Sequence, residues 1–228
     1  MSKKDLDKKE NSASGELDSD SARIESLKQD YVDLFNSASK SANFLKSIHD
    51  NTSIYRNVPV GEEIKRKKFL EYFNGGKILD LGCLEGYHIN WFEGAEKIYC
   101  VDIIDNFFEH IEKNYKENNV ECKLSSGYDL SFIEDSYLDF IFSVDSIMRL
   151  SLSQYISYFN EFKRTLKPGG RGYIHLPVKY PRMQPRYKND RPHIFTKDSL
   201  RKTMPWAEIE FIDGYVQFGS IALIKKSN

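Results

Sequence analysis

One stretch constrains this chain more than any other. It begins Lys77-Ile78-Leu79-Asp80-Leu81-Gly82-Cys83-Leu84-Glu85-Gly86-Tyr87-His88 and continues to Glu93. An apolar strand over 77–81 carries Asp80, Gly82 and Gly86 bracket a tight loop, and the pattern after it predicts a helix over 85–93. Strand, glycine turn and helix start form the arrangement in which a backbone comes close to a nucleoside. Gly82 is expected to let the backbone approach a ligand, and Gly86 to let the helix pack on the strand. An ordinary strand-to-helix turn reads the same way, so the loop alone does not decide. A second apolar strand, 97–102, ends in Asp102, placed to accept hydrogen bonds from ribose hydroxyls. Two acids at strand tips suit an adenosine carrying no pyrophosphate. No Lys-Ser/Thr pair follows the loop, which argues against a Walker-type phosphate site.

The alternation continues as helix 105–117, strand 121–124, strand 138–144, helix 151–166 and strand 171–177. Strands alternating with helical stretches imply a mostly parallel sheet covered on both faces. Leu166-Lys167-Pro168-Gly169-Gly170 is expected to end the long helix and turn the chain into the fifth strand. A short helix follows Thr196, its expected N-cap. The runs 207–212 and 215–225 meet at Asp213-Gly214, a hairpin signal.

With Gly127-Tyr128-Asp129-Leu130, Leu138-Asp139-Phe140-Ile141-Phe142-Ser143 and Leu166–Gly170 following the first loop in order, residues 77–178 resemble the class I S-adenosylmethionine-dependent methyltransferases. That resemblance implies an α/β fold: a Rossmann-like seven-stranded sheet, parallel except for one antiparallel strand near the C-terminus, with helices on both faces. It implies S-adenosyl-L-methionine as cofactor, with Asp80 and Gly82 by the methionine part, Asp102 on the ribose, Ile103 on the adenine, and Tyr128 and Asp129 at the adenine edge. Cys83, Leu84 and Gly86 complete the expected cofactor loop. Asp129 reads equally well as a turn residue. One departure stands out: the family's third loop glycine is Leu84 here, so the loop is expected to take angles that leucine tolerates.

Three domain segments are expected: a disordered tail over 1–20, a helical extension or lid over 21–74, and the methyltransferase domain over 75–228. The first is Lys, Asp, Glu and Ser with almost no apolar anchor. Ile24, Leu27, Tyr31, Leu34, Ala38, Leu45 and Ile48 form a helical stripe that either packs in cis or joins two chains as a homodimer. In helix 62–73, Ile64, Phe69, Leu70 and Phe73 are expected inward and the basic cluster Lys65–Lys68 mainly outward. Tyr55 or Arg56 is a candidate for the lid that such segments form in the family. A net charge of −1 gives no global attraction to nucleic acid, and no nucleic-acid partner is expected. Three unpaired cysteines, with no signal-peptide core and no bilayer-length apolar run, point to a reduced, cytoplasmic protein. Cys100 and Cys122 read as small buried hydrophobes.

On the acceptor side, the fourth strand runs out into Ser143-Val144-Asp145-Ser146. Asp145 either positions or deprotonates a hydroxyl or serves as a helix cap. This stretch resembles a subgroup of bacterial methyltransferases associated with sugars and polysaccharides, in which a histidine commonly stands where this chain has Arg149. His175 faces the cleft or the core, and His193 is a loop anchor or an active-site residue. The loop 179–192 interleaves Tyr180 and Tyr187 with Lys179, Arg182, Arg186, Lys188 and Arg191. That composition suits a phosphorylated or acidic sugar, or else a solvated surface. Arg149, Tyr180, Arg182 and Arg186 are the candidate acceptor contacts. Asp145, His175 and His193 are the candidate bases. No metal site is expected, since no His or Asp pair has ligand spacing.

Overall fold

Seven strands join in one sheet, ordered β3-β2-β1-β4-β5-β7-β6. The computed structural model describes residues 59–116, 119–179, 194–213 and 219–228, together with Glu25, Lys28 and Gln29. The chain divides into two compact units, Met1–Val58 and Pro59–Asn228. In the first, the three described residues are helical, and Lys28 pairs with Glu25 at 2.9 Å. The rest of the 24–48 stripe, Tyr55 and Arg56 lie outside the described residues.

The second unit runs α1 (Pro59–Tyr72), β1 (Gly76–Leu81), β2 (Ala95–Asp102), α2 (Phe108–Asn114), β3 (Val120–Leu124), β4 (Leu138–Ser143), α3 (Leu152–Thr165), β5 (Leu166–Leu176), α4 (Lys197–Thr203), β6 (Ala207–Asp213) and β7 (Ser220–Lys226). The pairs β1–β2, β1–β4, β2–β3 and β4–β5 are parallel, and β7 runs antiparallel to both β5 and β6. This is the expected Rossmann-like sheet with its one antiparallel strand.

Period-two alternation sends neighbouring strand residues into different layers. Leu79, Ile141 and Ile174 pack with Tyr155, Phe159 and Phe162 of α3 and Leu200 of α4. Ile78, Phe140, Phe142 and Tyr173 pack with Phe69 of α1 and Ile111 of α2. Phe69 lies at the centre of the second layer, with Phe73, Trp91, Phe92, Phe140, Phe142 and Tyr173 at centroid distances of 5.0–6.0 Å. Polar contacts moor the same helix: the Tyr72 hydroxyl donates to Ile224 O at 2.8 Å, and Arg171 Nη1 to Tyr72 O at 3.1 Å. Asp139, in the motif that opens β4, accepts from Lys77 N–H at 2.9 Å and from Lys167 Nζ at 2.7 Å. It thereby ties the starts of β1, β4 and β5 together.

Three local expectations differ from the fold. The helix expected over 85–93 is a turn followed by a single 3-10 turn, Ile89–Trp91. Gly86 at φ +79° and Gly94 at φ +84° leave the right-handed region, and His88 offers no side-chain cap, so too few residues remain between them to nucleate an α-helix. The fifth strand starts earlier than expected, at Leu166, with an irregular register between Leu138 and Phe140 that absorbs the Pro-Gly-Gly segment. At the hairpin, Asp213 pairs with Ser220, so β7 starts at Ser220 and not at 215, and Gly214 of the expected turn lies outside the described residues. Elsewhere the local chemistry acts as expected. Thr196 caps α4, accepting from Ser199 N–H at 3.0 Å; the structure adds a second cap not singled out in the sequence, Ser151, which caps α3 in a capping box with Gln154.

Candidate active site

In open parallel sheets ligands bind beyond the carboxyl ends of the strands, and the candidate residues gather there. Asp80 is 1% exposed, and its Oδ2 has no hydrogen-bond partner. Burial, reinforced by the charge of Asp102, pushes its carboxyl up to about 8. A buried carboxylate without a partner is costly, and a bound donor or cation would relieve that cost.

Asp102 is 9% exposed and holds the loop as well as facing the strand tips. Its Oδ2 accepts from Leu84 N–H at 2.9 Å, and its Oδ1 from Ile103 N–H at 2.7 Å and Ile104 N–H at 3.3 Å. Burial raises its carboxyl pKa, and these three donors oppose the rise. A carboxylate offers about four lone-pair positions, so roughly one remains for a ligand hydroxyl. The partly buried Ile103 adjoins it at the strand tip.

The loop departs from expectation at two residues. Gly82, at φ +80°, was expected to make room for a ligand. The space a Cβ would fill is instead taken by Ser146, whose Cβ would lie 2.1 Å away. Ser146 and Ser143 both donate to Leu81 O, at 2.8 and 3.0 Å, locking the β4 exit against the β1 exit. Leu84 does not take an ordinary leucine conformation. Its φ is +45°, the left-handed region that glycine occupies freely. Replacing it tests the strain. In Leu84→Gly, relief of the left-handed penalty and the greater freedom of the unfolded chain oppose each other, and stability should stay within about 1 kcal/mol of wild type. Affinity for S-adenosylmethionine should be equal or tighter, as read by calorimetry.

Cys83 and Cys100 are buried in the core layer beneath the loop, Cys122 is half-buried, and all three thiols are free. Cys83 thus reaches the loop through its backbone while its side chain belongs to the core. Gly86 is held by packing, since a Cβ there would meet Ile89 at 2.7 Å. Tyr128 is partly buried. The carboxylate of Asp129 is occupied within its own turn, accepting from the Ser126 hydroxyl and, at 2.8 Å, from the Ser131 hydroxyl. Burial works to raise its pKa, but those bonds hold it below the usual carboxylate range.

Past β4, the structure brings Asp145 and His175 together. His175 Nδ1 lies 2.7 Å from Asp145 Oδ1. The ring is 1% exposed, and neither nitrogen makes an aligned hydrogen bond, so this is a close contact between imidazole and carboxylate. The Asp145 side chain is 35% exposed and is the member open to a ligand. It sits at φ +57°, a conformation aspartate tolerates better than most residues. His193, Tyr180, Arg182 and Arg186 lie outside the described residues, and Arg149 closes the 3-10 turn Ile147–Arg149, with only its backbone described.

Two further residues face Asp145 that sequence patterning did not single out. Lys65 was expected on the solvated side of its helix. Its side chain is only 11% exposed, and its Nζ lies 3.7 Å from Asp145 Oδ2. Its neighbours Arg66 and Lys67 are exposed, as expected. His88 packs between Trp91, at 4.7 Å, and Phe142, at 4.9 Å. Burial, followed by the Lys65 charge, pushes His88 down to about 3, so its ring is neutral near pH 7. For Asp145, burial works upward, but His175, Lys65 and His88 together hold its carboxyl below the ordinary value. The signal for Lys65 was present but weak: it falls four residues before Phe69, on the same helix face.

The unpartnered Asp80 carboxylate answers the α-ammonium of S-adenosylmethionine, and the remaining acceptor position on Asp102 answers a ribose hydroxyl, so the residues present fit that cofactor. Among the described residues no cluster of three or more His, Cys, Asp or Glu side chains could hold a metal ion.

Comparison with known proteins agrees with this geometry. The family described as a methyltransferase domain matches residues 79–174. No curated protein sequence matches the chain. The PH0226 protein of Pyrococcus horikoshii OT3 superposes with a TM-score of 0.59 at 20% identity, covering 78% of this chain and 93% of that one. The Burkholderia thailandensis 1,6-didemethyltoxoflavin-N1-methyltransferase, solved with 1,6-didemethyltoxoflavin and S-adenosylhomocysteine, superposes with a TM-score of 0.58 at 15% identity, covering 88% and 90%. A SAM-dependent methyltransferase from Aquifex aeolicus gives 0.54 at 18% identity, covering 71% and 88%. A methyltransferase-domain match over residues 79–174, the Rossmann-like sheet order and strand tips that suit the cofactor together support S-adenosylmethionine-dependent methyl transfer.

Proposed function

We propose that the acceptor is a hydroxyl of a sugar, glycan or nucleotide sugar, received between Asp145 and the strand tips. The observation that carries this reading is the Asp145–His175 contact of 2.7 Å at the exits of β4 and β5. A carboxylate that stays ionised accepts a hydrogen bond from a neutral hydroxyl and fixes the oxygen that attacks. His175 lies too deep to touch the acceptor and would orient the carboxylate from behind. Likeness to the sugar-associated subgroup and the cationic, aromatic 179–192 loop support the same class, including phosphorylated acceptors.

Asp80, Asp102, Ile103 and the 82–86 loop would hold S-adenosylmethionine, which supplies a sulfonium-bound, electrophilic methyl group. The protein then has to position the acceptor, exclude water and receive one proton. Positioning contributes most, and a base acting in the transition state adds a factor of about 10²–10⁴. A nitrogen acceptor is the second reading, favoured by the anionic character of Asp145, which suits an amine.

Labelled S-adenosylmethionine incubated with nucleotide sugars, glycans and amines, with products read by mass spectrometry, separates the two. Methyl on a sugar oxygen is expected, and methyl found only on amine nitrogen would overturn the hydroxyl reading. In the same assay Asp145→Asn, which preserves tolerance of the left-handed backbone, should slow turnover by about 10²–10⁴ and leave cofactor affinity unchanged.

A further inference from the structure

We propose that Lys65 is a positioning residue for methyl transfer, holding Asp145 Oδ2 from α1 while His175 holds Oδ1 from β5. The two oxygens of one carboxylate are approached from two separate elements, Lys65 Nζ at 3.7 Å and His175 Nδ1 at 2.7 Å. The lysine is 11% exposed on a helix whose adjacent Arg66 and Lys67 are exposed, so its inward direction is particular to this position. Burying a lysine head is costly without a partner of opposite charge, and Asp145 supplies one. Its backbone is fixed as well: Tyr173, one strand position from Ile174 and two from His175, donates from its hydroxyl to Lys65 O at 3.3 Å. β5 therefore fixes both the helix that carries Lys65 and the imidazole opposite it.

The groups facing the carboxylate are Lys65 from α1, His88 from the β1–β2 connection and His175 from β5. Burial would raise the Asp145 carboxyl, His175 lowers it most and Lys65 adds to that, so the lysine works with the imidazole against burial. The consequence is mechanical and electrical at once. Docking of α1 aims the carboxylate at the acceptor, and the ammonium helps keep it deprotonated where the acceptor proton must be received.

This inference rests on the reading of Asp145 as the acceptor-facing group, and its test has a readout independent of any acceptor. The ¹³C carboxyl resonance of Asp145, identified by its disappearance in Asp145→Asn, is titrated in the full chain. Lys65→Met keeps the apolar stem, and it should move the Asp145 midpoint upward by about one pH unit. Lys65→Arg should restore it, and Lys67→Met, the same charge change on the exposed face, should leave it in place. Should Lys65→Met fail to fold, Lys65→Gln takes its place. A midpoint unmoved by loss of Lys65, or moved equally by Lys67→Met, would overturn the proposal.

With the acceptor in hand, the acid limb of the kcat profile should follow the same upward shift, with KM for the cofactor unchanged. If the resonance shifts and the acid limb does not, Lys65 still sets the carboxylate, and it is the role of Asp145 in turnover that fails.

Discussion

Asp102→Ala should weaken S-adenosylmethionine binding by about 30- to 1,000-fold, measured by calorimetry against the wild type. Two losses add. A ligand hydroxyl loses a charge-assisted bond worth about 1.5–3 kcal/mol, which is about 10- to 150-fold in affinity. The backbone N–H groups of Leu84, Ile103 and Ile104 also lose their shared acceptor, at 2.9, 2.7 and 3.3 Å. Leu84 is the residue least able to hold its position unaided, because its left-handed φ of +45° persists only while its surroundings enforce it. Asp102→Asn, which keeps one carbonyl acceptor, should fall between the two. Equal affinity in wild type and Asp102→Ala would remove Asp102 from the cofactor site.

The largest effect on stability is expected from Phe69→Ala, at about 3–5 kcal/mol in denaturant unfolding. Phe69 is fully buried and joins α1 to the sheet through Phe140, Phe142 and Tyr173, each meeting its ring edge-to-face at 5.3–5.8 Å. Truncation leaves a cavity whose walls include two strands, β4 and β5, and cannot collapse freely. Because α1 also carries Lys65, the loss should reach the site: the variant should show slower turnover even under conditions where it remains folded. Phe69→Leu, which refills most of the volume, should recover most of the stability. A cost below about 1 kcal/mol for Phe69→Ala would mean that α1 is not docked as described.

The sheet was legible because its signals are local and repetitive. Apolar strands with period-two alternation, glycine loops and the capping Thr196 specify elements one at a time, and Ile78/Leu79, Phe140/Ile141 and Tyr173/Ile174 divide between the two layers as alternation requires. Asp80 and Asp102 were legible as acids at strand tips. What the sequence hid was long-range. Gly82 looks like room for a ligand, and only the fold shows Ser146, 64 positions later, filling that room. Leu84 looks like a residue that would avoid the left-handed region, but the acceptor on Asp102 holds it there. The helix expected over 85–93 failed because two glycines outside the right-handed region outweighed a favourable pattern. Lys65 lay inside a run of four basic residues whose ordinary meaning is a solvated face, and its partner Asp145 is 80 positions away. Pairings at such separations leave no periodic trace in one sequence.

The most direct measurement is a crystal structure of the chain with S-adenosylhomocysteine. The expected result is a ribose hydroxyl within hydrogen-bond distance of Asp102, the amino group against Asp80, and the sulfur facing the side of the cleft where Asp145 is exposed. A nucleoside bound away from the exits of β1 and β2, or a sulfur directed away from Asp145, would contradict the assignment of the site.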